Sequence, residues 1–424
     1  MSACRCAVLL AVFLPLGQRT VLAQAPDPSP PAPAAVSAAA PADTTPADQM
    51  DVADLIRLLR HKPPPTGTFD YTKRMKAIAP VIGVKPSSGV IIGGAGNVAF
   101  YRGDPATTHI SSSVASATVT SKKQAGISAR TTMFGRDDRW RAEVDYRFQW
   151  TSLDTSGLGI ATAEAEPQLA RFDFYRLYQS GYMRVRPNLF VGGGLHFDSH
   201  ADVRAAEGEE AAWEGSPYVL YSTASGLPLD TQMSAGPSAE VIWDSRDSFI
   251  NADHGSLARA SYRVMFDGFL GGDTHWEKVT VDLRSYKRLS DDGRHKLAGW
   301  AYADMVVSGV APYFDLPSTA SDGYGRSGRG YAEGHFRGEK LASFELEYRG
   351  PITKNGLLGW VAFANATTVS NSLEGERFFD HFAPGGGVGL RLLLNKRSKT
   401  NLAFDVGLGE RRSRGVYLAI QEAF

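Results

Sequence analysis

The chain has 424 residues, 45 Lys+Arg against 45 Asp+Glu, and 43% hydrophobic residues. A net charge near zero gives no electrostatic case for nucleic acid as a partner. Mean hydropathy is slightly negative at −0.21, which looks soluble but does not exclude a membrane barrel, whose strands turn only every second side chain to lipid.

The first residues read as a secretory signal. Arg5 supplies a positive start, Ala7 to Gly17 is an apolar run too short to span a bilayer as a helix, and Val21-Leu22-Ala23 is a small-residue cleavage site. With 1–23 assigned to the signal, the processed chain keeps neither Cys4 nor Cys6, so no disulfide framework or thiolate nucleophile is expected. No later segment reaches the roughly 18 uninterrupted apolar residues of a membrane-crossing helix. A mature chain that spans a membrane must therefore do so as a closed barrel.

Residues 24–87 read as a Pro/Ala-rich linker with one short amphipathic helix. Within Ala47 to Lys62, Val52, Leu55, Ile56, Leu58 and Leu59 share one side, and Pro63-Pro64-Pro65 ends the helix. From about Ser88 to Phe424 the pattern becomes period-two alternation. In Arg141 to Trp150, Ala142, Val144, Tyr146, Phe148 and Trp150 oppose Arg141, Glu143, Asp145, Arg147 and Gln149. In Leu341 to Arg349, Ala342, Phe344, Leu346 and Tyr348 oppose Ser343, Glu345, Glu347 and Arg349. Charges so dense on one strand face would be costly in the dry core of a sandwich. A water-filled lumen removes that cost, with lipid on the other face.

Strands are expected at 88–102, 108–120, 124–134, 138–151, 172–185, 187–199, 231–244, 256–267, 275–289, 295–309, 339–350, 356–370, 384–395, 399–410 and 414–424. A single-chain bacterial barrel has an even number, so the expectation is roughly sixteen, with the extra strand near Leu158 to Thr162. The fold class is thus all-β: a transmembrane antiparallel barrel over 88–424, with a long extracellular loop folded into the lumen. The connections 200–230 and 311–338 are long and are placed outside the cell; the short turns after 289, 349 and 395, and the segment from Asp244 to Gly255, are placed in the periplasm. Gly415 to Phe424 alternates, with Val416, Leu418, Ile420 and Phe424 on one face, and closes on an aromatic residue, as outer-membrane barrels commonly do; Glu422 departs from that pattern, where an apolar residue would be expected.

Three motifs then carry a resemblance: Asp244, Arg246, Asp247 and Gly255 in a turn between strands; Arg329-Gly330-Tyr331 in the long loop; and the closing block Gly385 to Gly409. Together with Phe424 they resemble the BamA/TamA superfamily of outer-membrane barrels, the bacterial surface antigen domain, in a short subgroup without POTRA modules. The resemblance implies that Arg329 enters the lumen and meets an anion. It also implies an aspartate on the thirteenth strand, where this chain has Asn365 in the order Phe363, Asn365, Thr367. Glu345, Glu347 and Asp405 are then the lumen-facing candidates to receive Arg329.

The implied function is insertion or translocation of protein or lipid at the bacterial outer membrane. The implied partners are membrane lipid and client outer-membrane proteins or lipids. The alternative is a porin-like or structural surface-antigen barrel. No metal, cofactor or catalytic role is expected: the sequence has no H-E-x-x-H, G-x-S-x-G, Walker or dinucleotide fingerprint. Ser199-His200 and Ser256 with His254 are weak candidates for a hydrolytic pair.

Overall fold

The computed structural model describes residues 48–63, 70–85, 88–161, 167–410, 413–422 and 424. The expected signal, and most of the linker ahead of the helix, lie outside them. One short helix, α1 (Val52–Leu59), precedes an antiparallel sheet of sixteen strands. They are β1 (Met75–Lys85), β2 (Gly89–Phe100), β3 (Ser111–Thr120), β4 (Ala125–Phe134), β5 (Trp140–Thr155), β6 (Gln168–Arg186), β7 (Leu189–Ala205) and β8 (Gln232–Asp244). After these come β9 (Gly255–Met265), β10 (Trp276–Arg288), β11 (Lys296–Gly309), β12 (Lys340–Pro351), β13 (Leu358–Val369), β14 (Ala383–Asn395), β15 (Thr400–Gly409) and β16 (Arg414–Ile420). Each strand pairs with its sequence neighbour, and the ladder runs unbroken from β1 to β16. Among the described residues no ladder joins β16 to β1, although the two strands lie side by side, so the barrel is nearly closed.

The burial pattern is inside-out. On β12, Phe344 and Leu346 are 41% and 55% exposed, whereas Glu345 and Glu347 are 4% and 0% exposed. The same inversion sets exposed Val388 and Leu390 on β14 against buried Arg391, and exposed Val241 and Trp243 on β8 against buried Glu240 and Asp244. An outer surface this apolar fits hydrocarbon, and a charged inner wall fits a lumen.

The number of strands agrees with expectation; the position of the missed strand does not. Leu158 and Gly159 make only isolated bridges to Arg337. The extra strand is β1, which lies in the stretch assigned to the linker, so the barrel begins at Met75 rather than at Ser88. Its inward side chains are Met75, Ala77 and Ala79, which are apolar or small and hide the alternation. Pro80 is tolerated there because β1 lies at the edge of the ladder. β6 and β7 also run beyond their expected limits, to Gln168 and Ala205. The last strand stops at Ile420, short of the expected Phe424, where Gln421 takes φ of +84°.

By strand parity the termini of the barrel share one end with the turns β8–β9, β10–β11, β12–β13 and β14–β15. The long connections β7–β8 and β11–β12 are at the other end. The β7–β8 connection carries a second helix, α2 (Pro217–Ala224), capped by Ser216. Tyr218 of α2 is fully buried against Tyr313 and Phe314 of the β11–β12 connection.

Leu346→Arg, in the middle of β12 on the outer face, is expected to lower stability in lipid vesicles by about 2–4 kcal/mol. Denaturant titration of the vesicle-inserted barrel measures it, and an unchanged midpoint would contradict a lipid-facing assignment.

Candidate functional site

The β11–β12 connection spans 310–339 and is buried over much of its length. A buried loop must satisfy its own backbone. Thr319 N donates to Phe336 O and Ala320 N to Ser327 O, each at 2.9 Å, while Asp322 Oδ1 accepts from Arg326 N and Ser327 N at 2.6 Å. Arg337 Nη1 donates to Tyr313 O at 2.8 Å, its guanidinium 4.6 Å from the Tyr313 ring. These bonds hold Gly328 to Tyr331 against the polar face of β12, β13 and β15.

There Arg329 has no exposed surface. Its Nε donates to Glu345 Oε2 at 3.0 Å, its Nη2 to both Glu345 and Glu347 (2.5 Å to the latter), and its Nη1 to Asp405 at 3.0 Å. The Phe363 ring lies 3.7 Å from the guanidinium carbon. Asn365 Nδ2 donates to the Arg329 carbonyl at 2.8 Å and to Glu345 at 3.3 Å. The amide on β13 thus holds the loop's backbone, and carboxylates on β12 and β15 take the cation.

Gly330 has φ of +116°, and a Cβ there would sit 2.6 Å from Leu408 O; the close approach to β15 requires glycine. Its N–H donates to the Tyr417 hydroxyl, which donates onward to Tyr331 O, both at 3.0 Å. The Tyr331 hydroxyl donates to Pro384 O at 2.5 Å.

The network extends to residues that motif reading did not single out. Arg349 Nε donates to Glu347 at 2.6 Å, and Arg391 pairs with Asp405 at 2.5 Å and with Glu422 at 2.7 Å. Glu422 also accepts from Asn401 Nδ2 at 2.6 Å. Alternation already placed Arg349 and Arg391 on the inner face; nothing in the pattern placed Glu422, which lies past the end of β16. Phe424 is likewise buried, stacked on Trp300 at 5.2 Å between centroids, and its carbonyl accepts from Arg349 Nη2 at 3.1 Å. The final residue therefore does not share the outer face of Val416, Leu418 and Ile420. An inner aromatic and cationic pocket outcompetes the lipid face for it.

The β8–β9 turn does more than pair locally. Arg246 binds Asp244 through Nε and Nη2, both at 2.8 Å, and Arg141 Nη1 on β5 donates to Asp244 at 3.1 Å. Asp247 accepts from Asp253 N and His254 N at 2.8 and 3.0 Å. Gly255 has φ of +97° and lies where a Cβ would be 2.3 Å from Ser245 O. Between these ends the turn drives inward: Ile250 packs with Met75, Ala99 and Ile110, and Ala252 with the cluster that holds Phe424. Lys399 of the β14–β15 turn binds both Asp247 and Asp253, at 2.8 and 2.7 Å, and Lys296 also binds Asp253.

The hydrolytic candidates do not assemble. Ser256 Oγ faces Ser285 Oγ at 3.5 Å while His254 faces Asp247 at 3.6 Å, and His200 stacks on Phe174 and Phe314 and meets the Phe172 ring edge to face.

A sixteen-strand antiparallel wall with apolar side chains outward and paired charges inward defines an outer-membrane β-barrel protein. The Omp85 superfamily domain matches residues 100–409, and the chain belongs to that superfamily. BamA from Haemophilus ducreyi, solved without POTRA domains 1–3, is similar with a TM-score of 0.52 and 15% identity, over 82% of this chain and 69% of that one. CdiB from Acinetobacter baumannii is similar with a TM-score of 0.51 and 11% identity, over 82% of this chain and 59% of that one. The chain thus spans less than two thirds of the CdiB length, and at such identities the likeness is one of fold. No curated protein sequence matches the chain. The protein is one of the bacterial outer membrane, and among the described residues no POTRA module precedes β1.

Two outcomes follow from the charge network. Arg329→Ala leaves Glu345 without its cation and takes one cation each from Glu347 and Asp405, which keep Arg349 and Arg391. It is expected to cost about 3–5 kcal/mol, read as a lower temperature for loss of the compact, heat-modifiable band on gels. At Asp253, burial would raise the carboxyl pKa, but Lys296 and Lys399 hold it well below the usual carboxylate range. A depressed pKa stabilises the fold above the unfolded value, about 3.9, and the gain is lost as pH falls toward the folded value. The stability gap between wild type and Asp253→Asn is therefore expected to shrink as pH drops below about 4. A gap independent of pH would contradict the ion pairing.

Proposed function

We propose that this barrel assists insertion or translocation of protein or lipid at the outer membrane, and that it works through the β1–β16 seam. The observation that carries the reading is that, among the described residues, no ladder joins those two strands. Each presents backbone N–H and C=O groups without a strand partner on one side, a ready template for an incoming strand. β16 is held mainly from behind, by its ladder to β15, by Tyr417 on the β11–β12 loop and by Glu422 on Arg391. Opening the seam therefore breaks few direct bonds. The turn of Asp244, Arg246, Asp247 and Gly255 then lies in the periplasm, and the loop of Arg329, Gly330 and Tyr331 enters from outside. Both fill the interior, which favours a route along the wall over a solute channel through the centre. The activity is mechanical and carries no catalytic step.

Reconstituted in vesicles, the protein is expected to speed folding of a client barrel relative to empty vesicles. A disulfide engineered across β1 and β16 should abolish the acceleration, and reduction should restore it. Steady conductance in a planar bilayer, with client folding unchanged, would favour a porin-like barrel instead.

A further inference from the structure

α1 is attached to the barrel by its polar first turn. Asp51 and Asp54 form a capping box. Asp51 Oδ2 accepts from Lys396 N at 3.1 Å, Lys396 Nζ pairs with Asp54 at 2.8 Å and donates to Gln49 O at 2.9 Å. Upstream, Met50 N donates to Asn355 O at 3.0 Å and Arg294 Nη2 to Asp48 at 2.5 Å. Three turns at the terminal end of the barrel thus grip residues 48–54. No residue of the helix proper is buried, and Ile56, Leu58 and Leu59 are 44%, 65% and 69% exposed.

An amphipathic helix normally spends its apolar side on its own protein; this one spends its polar end there and leaves the apolar second turn unpaired. α1 sits against β14, whose outward Val388 and Leu390 are exposed. On the neighbouring strands Tyr348 and Trp360, ring centroids 5.2 Å apart, form an aromatic pair close to the turns that hold α1. Paired aromatics at the end of an apolar band mark the headgroup level. Arg57 pairs with Asp54 at 2.8 Å, and Arg60 and Lys62, at the far end from the acidic first turn of Asp51 and Asp54, add positive charge just after the helix.

We propose that α1 is an interfacial anchor: its second turn lies in the periplasmic leaflet of the outer membrane, with Ile56, Leu58 and Leu59 at the acyl boundary and Arg60 and Lys62 on phosphates of anionic phospholipid. The proposal needs the barrel in a membrane with its termini on the periplasmic side, but not the insertion activity.

The test uses the full chain in a Cys4→Ser, Cys6→Ser background, with an environment-sensitive dye on Leu58→Cys. The protein is reconstituted in vesicles of phosphatidylethanolamine and phosphatidylglycerol, with nitroxide-bearing lipid as quencher. The reference site is Glu374→Cys, exposed on the β13–β14 connection at the opposite end. Heat-modifiable migration checks that each variant is folded. Quenching at Leu58 is expected to exceed that at Glu374 roughly threefold or more, as for a side chain at the headgroup boundary. It should fall with Ile56→Ser plus Leu59→Ser. With Arg60→Glu plus Lys62→Glu it should lose its dependence on phosphatidylglycerol content. Quenching no greater than at Glu374 would overturn the proposal. So would shielding of the dye that appears only on adding other outer-membrane proteins, which would assign the face to a protein partner.

Discussion

The interior of this barrel depends on one buried cation. Arg329 is cut off from water and faces Glu345, Glu347 and Asp405 from two different strands. An isolated guanidinium could not persist there, and without it Glu345 would be left buried and unpaired, while Glu347 and Asp405 would keep Arg349 and Arg391. Satisfied on every side, they form a network that fixes a thirty-residue connection, numbered 310–339, against the wall. Arg349 and Arg391 carry the network on to Glu422 and the carbonyl of Phe424, so the loop and the end of the chain share one set of ion pairs.

That arrangement separates what the sequence could disclose from what it could not. Alternation of apolar and charged residues, as in Leu341 to Arg349, disclosed the barrel and which side chains face inward, because period two is a local property. β1 was missed because its inner positions carry Met75, Ala77 and Ala79, with no charge to mark the lumen side. The placement of Arg329 beside Glu345, Glu347 and Asp405 came from resemblance and inner-face assignment together. Periodicity alone does not say which loop meets which strand. The Asp244–Arg246 pair was readable as a turn, but the inward path of Ile250 and Ala252 depends on contacts with β1, β2 and the last residue. Phe424 was misplaced for the same reason: a local pattern continues an alternation, and only the pocket of Trp300 and Arg349 bends it inward.

The structure divides its cohesion unevenly. Most strands are held by ladders on both sides, whereas β16 has a ladder only to β15 and leans on the side chains of Tyr417, Glu422 and Gln421, the last of which donates to Ser112 of β3 at 3.0 Å. Those side-chain ties run inward rather than across to β1. The seam is thus coupled to the loop and the terminal residues, and a disturbance of the central ion pairs is felt at the strand least able to absorb it.

The heights of the wall differ greatly around the circumference. β6 has 19 residues and β16 has 7. At roughly 3.4 Å per residue, and with the tilt usual in such barrels, β16 covers well under the thickness of the hydrocarbon layer, whereas β6 overshoots it. Lipid meeting the short side must thin or expose acyl chains to headgroup and water, and that mismatch stores elastic energy in the bilayer beside the seam.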